Sequence, residues 1–292
     1  MLITEKLEQT KFSNSEQIIV DYLKKEQLNI ENKSTTQIAN ETFSSKSTIV
    51  QVAKRLNFSG WNEFKKAYLE ELKYLFAHQS TIDANFPFHE HDHYLAIAQK
   101  IAKLEQEAIE DTLSLINFSE IKKAIKMLQK ASSIHIFAVS NNLLISEEFC
   151  YNLTRIKKRA TVHSRYGEAI YSATLMEPED CAIVISYSGE TPSLLKVVET
   201  LYQKKIPILL ITSIGENSMV KLSNCILRIS TREKLYSKIA TFANDASITY
   251  LLDVLYSCLF QEKYHYYTQL RKETSRIFET GRHSEIPIIK ES

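Results

Sequence analysis

Ile183-Val184-Ile185-Ser186-Tyr187-Ser188-Gly189-Glu190-Thr191-Pro192 decides the reading of this chain. A short run of branched apolar residues suits a strand buried on both faces. Gly189 then permits a tight turn and close approach of the backbone to a ligand. Thr191 is a good helix N-cap and Pro192 a good first helical residue, so a helix should begin there and aim its N-terminus at the loop. Free N–H groups and the helix dipole favour an anion at such a place. The hydroxyls of Ser186, Ser188 and Thr191 add neutral donors, and the loop holds no lysine. An ordinary capped turn would look similar; the preceding strand and Pro192 are what favour a phosphate-sized ligand on Ser186, Ser188, Gly189 and Thr191.

Outward from this loop the same texture repeats. Short apolar runs at 134–139, 160–163, 182–185, 208–212 and 225–229 are separated by helical stretches. Strands alternating with helices predict an α/β fold with a parallel sheet and right-handed crossovers. Ligands of such folds bind beyond the carboxyl ends of the strands.

The first 76 residues instead read as helices. Ser13-x-x-Glu16 and Ser34-x-x-Gln37 are capping-box patterns. Two short helices, around Ile38-Ala39 and from Ser47 to Leu56, flank a break at Phe43-Ser44-Ser45. That is helix-turn-helix spacing, and the second helix of such a pair enters the major groove. It would present Ser45, Lys46, Ser47, Thr48, Gln51, Lys54 and Arg55 to double-stranded DNA. Hydroxyls and Gln51 suit base edges, while Lys54 and Arg55 suit phosphate or guanine. Five basic residues and one acidic residue between Ser44 and Lys66 give this stretch +4, on a chain whose net charge is only +1. A small helical bundle that binds protein is the alternative. A further helix spans Trp61 to Phe76. Residues 77–93 lose periodicity and read as a linker, and helices resume at 94–115 and 119–130.

Composition narrows the class. The hydrophobic share of 44% is that of a globular protein. Met1-Leu2-Ile3-Thr4-Glu5-Lys6 lacks a signal-peptide pattern, and no run of about 18 apolar residues is present to span a membrane, so a cytoplasmic protein is expected. Cys150, Cys181, Cys225 and Cys258 lie far apart in apolar settings, as buried free thiols do.

The N-terminal pattern resembles the RpiR family of bacterial regulators. The resemblance rests on Ser45-Lys46-Ser47-Thr48-Ile49-Val50 and on Leu56-Asn57-Phe58-Ser59-Gly60-Trp61-Asn62-Glu63-Phe64-Lys65. The stretch Ile183–Thr191 is similar to the signature of the sugar isomerase (SIS) fold, whose two serines and threonine hold a sugar's phosphate. The resemblance implies a helix-turn-helix head of three to five helices at 1–76. It implies a three-layer αβα SIS domain with a five-stranded parallel sheet at 94–270, and a tail at 271–292. It further implies a regulator of carbohydrate-metabolism genes that answers a sugar phosphate, acts as a homodimer or homotetramer, and needs neither cofactor nor metal.

The chain departs from the family at several points. Asn57 replaces a glycine, and Gln51 an arginine. After the first strand, Ala138-Val139-Ser140-Asn141-Asn142 stands where Gly-x-Gly-x-Ser is usual; Ser140 and Asn142 remain candidate ligand contacts. Asn244-Asp245 stands where many members have Ser-Arg. His89-Glu90-His91-Asp92-His93 contains metal-ligand types, but alternate histidines in a linker lack a marked distant partner. Arg155–Arg159 reads as a solvated helix end, and Tyr264–Tyr267 as a packing surface. An isomerase with an accessory head is the competing function. It would need a general base, for which Glu190, Glu168 and His163 are the candidates.

Overall fold

The computed structural model describes residues 2–77, 82–165, 167–281, 283, 284, 286 and 288. The head contains α1 (Ile3–Gln9), α2 (Asn14–Glu26), a 3-10 turn (Gln27–Asn32), α3 (Thr35–Glu41), α4 (Lys46–Arg55) and α5 (Trp61–Ala77). The apolar positions at helical spacing converge on one core that includes Ile19, Leu23, Ile38, Ile49, Val52, Phe64 and Tyr68. Each such side chain contributes roughly 1.5–3 kcal/mol by burial. Ser34 and Gln37 form the expected reciprocal cap. At Ser13 the backbone N–H and the hydroxyl both donate to Glu16. α1 is too short to show more than the Ile3–Leu7 pair as a period; buried Glu71 of α5 holds it, accepting from the N–H groups of Ile3 and Thr4.

The second domain opens with α6 (Tyr94–Leu115) and α7 (Phe118–Lys130). Then come β1 (Ile134–Phe137), α8 (Asn141–Arg155), β2 (Ala160–Val162), α9 (Ala169–Leu175), β3 (Cys181–Ile185) and α10 (Pro192–Gln203). It ends with β4 (Ile208–Ser213), a 3-10 turn (Val220–Leu222), β5 (Cys225–Ile229), α11 (Phe242–Gln261) and α12 (Tyr264–Phe278). The five strands form one parallel sheet in the order β2-β1-β3-β4-β5. One face carries Ile134, Ile136, Ile183, Ile185, Leu209 and Ile211, which pack on α7, α8 and α11. The other carries Phe137, Ala182, Val184 and Leu210, which pack with Ala173 of α9 and Leu194, Val197 and Val198 of α10. The α/β architecture with three layers and a helical head is thus as the sequence implied.

Three stretches differ from simple expectation. Within the linker span, residues 78–81 lie outside those described. The following segment packs: Ala84 is buried, and Asn85 accepts hydrogen bonds from the N–H groups of Lys234 and Ile239. His93 caps α6 by accepting from Ala96 N–H, and His91 pairs with Glu90 in solvent. No cluster of three or more metal-ligating side chains occurs among the described residues. In the basic run 155–159, Lys158 donates to the last carbonyls of α7, at Leu128 and Gln129. Finally, α12 continues to Phe278, past residue 270 where a tail was expected. No helix of the described residues is long and apolar enough to cross a membrane.

Candidate functional site

The strand order reverses between β1 and β3, because β2 lies on the far side of β1. The loops that leave these two strands therefore diverge at the carboxyl edge of the sheet, where folds of this kind hold their ligands in a crevice. One wall is the loop of Ser186–Thr191. Gly189 adopts φ +64° there. Ser186 accepts from Gly189 N–H at 3.2 Å, Ser188 accepts from Glu190 N–H at 3.2 Å, and the Ser186 and Thr191 hydroxyls lie 3.3 Å apart. α10 begins at Pro192 with Thr191 as N-cap, and the Thr191 side chain makes no capping bond. The first-turn N–H groups thus keep their partial positive charge for an anion. Ser186, Ser188, Gly189 and Thr191 stand together as the sequence proposed.

The other wall is the loop after β1. Ser140 holds φ +54° as the N-cap of α8, the conformation a glycine would take without strain. Ala138 is buried beneath it. The Asn142 side chain makes no hydrogen bond among the described residues. Its neighbour Asn141 donates to Asp245, which also accepts from Thr241. The second oxygen of Asp245, and Oδ1 of Asn244, are buried without a partner among the described residues. Burial raises the Asp245 carboxyl above its ordinary value.

Sequence reasoning missed the third element of this region, the segment 230–233 after β5. Tyr187 donates to the carbonyl of Glu233 at 2.8 Å and accepts from its N–H at 3.1 Å. Burial pushes the Tyr187 phenol well above its usual value, so it stays neutral. The Glu233 carboxylate accepts from the N–H groups of Ala243 and Asn244 at the start of α11. Arg232 forks onto Asp111 and reaches Glu107 at 3.0 Å, both on α6. Ser230 N–H donates to Thr112, and Thr231 N–H donates to the hydroxyl of Tyr74 on α5 of the head. Four consecutive residues thus join the crevice to the head. The one local signal was the Glu107–Asp111 spacing, which places two carboxylates on one helix face.

Two of the three isomerase candidates are otherwise engaged. The Glu190 carboxylate accepts from Ser218 N–H and hydroxyl, each at 2.7 Å. His163 stacks on His135 with ring nitrogens 2.9 Å apart, and burial lowers it to about 4. Glu168 is exposed and pairs loosely with Arg165.

In the head, Ser45 caps α4 by accepting from Thr48 N–H. Ser45, Lys46, Ser47, Gln51 and Lys54 are exposed, and Thr48 partly so, while Ile49, Val52 and Ala53 face the core. Arg55 is exposed as well, beside Gln51 and Lys54, but it is held from one side. Its guanidinium contacts Glu16 at 3.1 Å and the carbonyl of Lys11 at 3.2 Å.

Comparison with known proteins agrees with both halves. Residues 1–74 match the helix-turn-helix domain of the rpiR family, and residues 127–254 match the SIS domain. An uncharacterized HTH-type transcriptional regulator of Caldanaerobacter subterraneus subsp. tengcongensis is 23% identical over 266 residues, covering 91% of this chain and 92% of that protein. Among solved structures, the Vibrio vulnificus NanR protein complexed with ManNAc-6P superposes with a TM-score of 0.60 at 22% identity, covering 94% of this chain and 97% of that one. The sugar isomerase domain of an RpiR transcription factor from Sphaerobacter thermophilus gives 0.55 at 12% identity, covering 62% and 98%. The chain belongs to the RpiR family of helix-turn-helix transcriptional regulators, with a SIS domain as its second half.

Proposed function

We propose that this protein binds operator DNA through α4 and that a phosphorylated sugar in the β1/β3 crevice controls that binding. The observation that carries the reading is the segment 230–233. It is hydrogen-bonded at one end to Tyr187 of the phosphate loop and near the other to Tyr74 of the head. A ligand that moves Tyr187 would be felt at α5 through Glu233, Thr231 and Tyr74. Such coupling requires that the ligand bind one head arrangement more tightly than the other.

The phosphate would rest on the Ser186, Ser188 and Thr191 hydroxyls and the first-turn N–H groups of α10, against Gly189. Ser140 and Asn142 would meet the sugar from the opposite wall. The unpartnered oxygens of Asn244 and Asp245 favour a ligand rich in hydrogen-bond donors, as sugar hydroxyls are. Binding without catalysis is the better reading, since Glu190 is spent on Ser218 and His163 on His135. Ser45, Lys46, Ser47, Thr48, Gln51 and Lys54 would meet DNA directly, with Arg55 at the edge of that surface tied to Glu16 and supporting the helix. A homodimer or homotetramer in the cytoplasm would place two heads on half-sites about 34–36 Å apart or a multiple of that.

The test is a titration of the full chain against the DNA upstream of its own gene, monitored by anisotropy, with and without a panel of hexose 6-phosphates. Specific binding that shifts with one of them is expected. No specific binding at moderate salt under either condition would overturn the reading. Turnover of fructose 6-phosphate would favour the isomerase instead.

A further inference from the structure

We propose that Phe43, in the turn before the recognition helix, is itself a DNA contact: its ring packs on thymine C5-methyl groups at the mouth of the major groove. The inference rests on the DNA-binding reading and adds to it a residue outside α4.

α3 ends with Ser44 N–H reaching back to the Ala39 carbonyl at 2.9 Å and Phe43 N–H reaching the Asn40 carbonyl at 3.3 Å. This is a Schellman motif, and it places Phe43 at φ +48°. Glycine is the usual occupant because an L side chain is strained there. Among the described residues the same motif ends three other helices. Phe58 reaches Ala53 past Asn57, Lys158 reaches Leu153 past Lys157, and Ile206 reaches Leu201 past Lys205. Asparagine tolerates the left-handed region better than most residues. Lysine meets the negative end of the helix dipole. An aromatic ring has neither compensation.

Nor does the ring pack. Phe43 is 98% exposed, more than any other large apolar side chain among the described residues. The head core closes without it, around fully buried Ile38, Ile49 and Val52. Phe43 thus combines backbone strain with full hydration, and nothing among the described residues offsets either. A local conflict of this kind marks a place where an external partner sets the residue.

Position identifies the partner. Phe43 lies two residues before Ser45, beside the exposed hydroxyls and amine of Ser45, Lys46 and Ser47. A protein-binding surface would gather several apolar side chains. The other exposed large apolar residues described in the head, Ile18 and Phe76, belong to α2 and α5 and not to this turn. A single ring at the entrance of the reading helix fits the thymine methyl, an apolar feature that the major groove presents.

The experiment uses the full chain and the upstream duplex protected in a footprint. Kd is measured for wild type, Phe43→Gly and Phe43→Ala, on that duplex and on one with deoxyuridine in place of thymine, alongside thermal melts. Phe43→Gly should raise Tm by relieving the strained turn, yet weaken DNA binding about tenfold, or about 1.4 kcal/mol. Wild type should lose a similar factor on the deoxyuridine duplex, and Phe43→Gly should not distinguish the two duplexes. Variants that bind like wild type, or wild type indifferent to deoxyuridine, overturn the proposal while leaving the DNA-binding reading intact. Absence of any protected site removes the underlying reading and this proposal with it.

Discussion

Gly189 has no room for a side chain. A Cβ there would fall 2.0 Å from the Asn217 side chain, and φ is +64°. Asn217 cannot step aside freely, since it donates to Thr212 at 3.1 Å and accepts from Val220 N–H at 3.2 Å. Gly189→Ala should therefore cost about 2 kcal/mol of stability or more, read in thermal melts, and should abolish phosphate binding. Adding Asn217→Ala should recover part of the stability and little of the binding. Glu16 supplies a pH test. The Ser13 N–H foremost, and the Ser13 hydroxyl and Arg55, hold its carboxyl below 4.5 against the opposing effect of burial. A depressed folded value stabilises the head above the ordinary glutamate range and loses that contribution as pH falls through it. Acid melts should show the loss below about pH 4.5, and Glu16→Gln should flatten it. Gly189, Ser186 and Thr191 were legible because turn, cap and strand lie within ten residues. Asn217 and the Tyr187–Glu233 pair were not, since their partners lie 28 and 46 positions away. Arg55 was read as a DNA contact from its charge; only the fold reveals Glu16 beside it.

Elements with a clean period were read almost to the residue. α6 begins at Tyr94 and ends at Leu115, and β5 spans Cys225–Ile229, as their patterns implied. β1 stops at Phe137, two residues short of the apolar run, because the chain turns sharply into Ser140. α1 and the second half of α12 carried weaker signals, and long-range contacts or the preceding helix define them instead. On α4, Gln51 and Lys54 are exposed one helical turn apart. Lys54→Ala should lower affinity for all sequences alike and reduce the salt slope of binding by about one. Gln51→Ala should instead relax preference at one base pair. Arg55→Ala should act mainly on the stability of the head, seen as a lower Tm with a small change in Kd.

At the scale of the molecule, the junction between head and sensor is incompletely packed. A cavity of about 530 Å³ opens there, with Tyr74, Glu216 and Arg228 among its walls. The hydrogen bonds of the Tyr74 hydroxyl to Thr231 and Asp111 cross this junction. Tyr74→Phe should leave effector-free DNA affinity and effector affinity each within about twofold, and remove the influence of one on the other. Isothermal titration and anisotropy on the same protein would check it; an unchanged shift in DNA affinity on adding effector would count against the route through Tyr74. Beyond the Glu107–Asp111 spacing, little of this junction was visible in the sequence, where residues 77–93 lost periodicity and read as a linker. The folded chain says otherwise. Asn85 grips the loop that carries Lys234 and Ile239, and the Asp111 carboxylate is shared between Arg232 and a tyrosine from the head. A hybrid regulator spliced at that stretch would inherit a sensor with a severed handle: it would fold, take up its ligand and report nothing. A working chimera must carry Tyr74 with the sensor it serves.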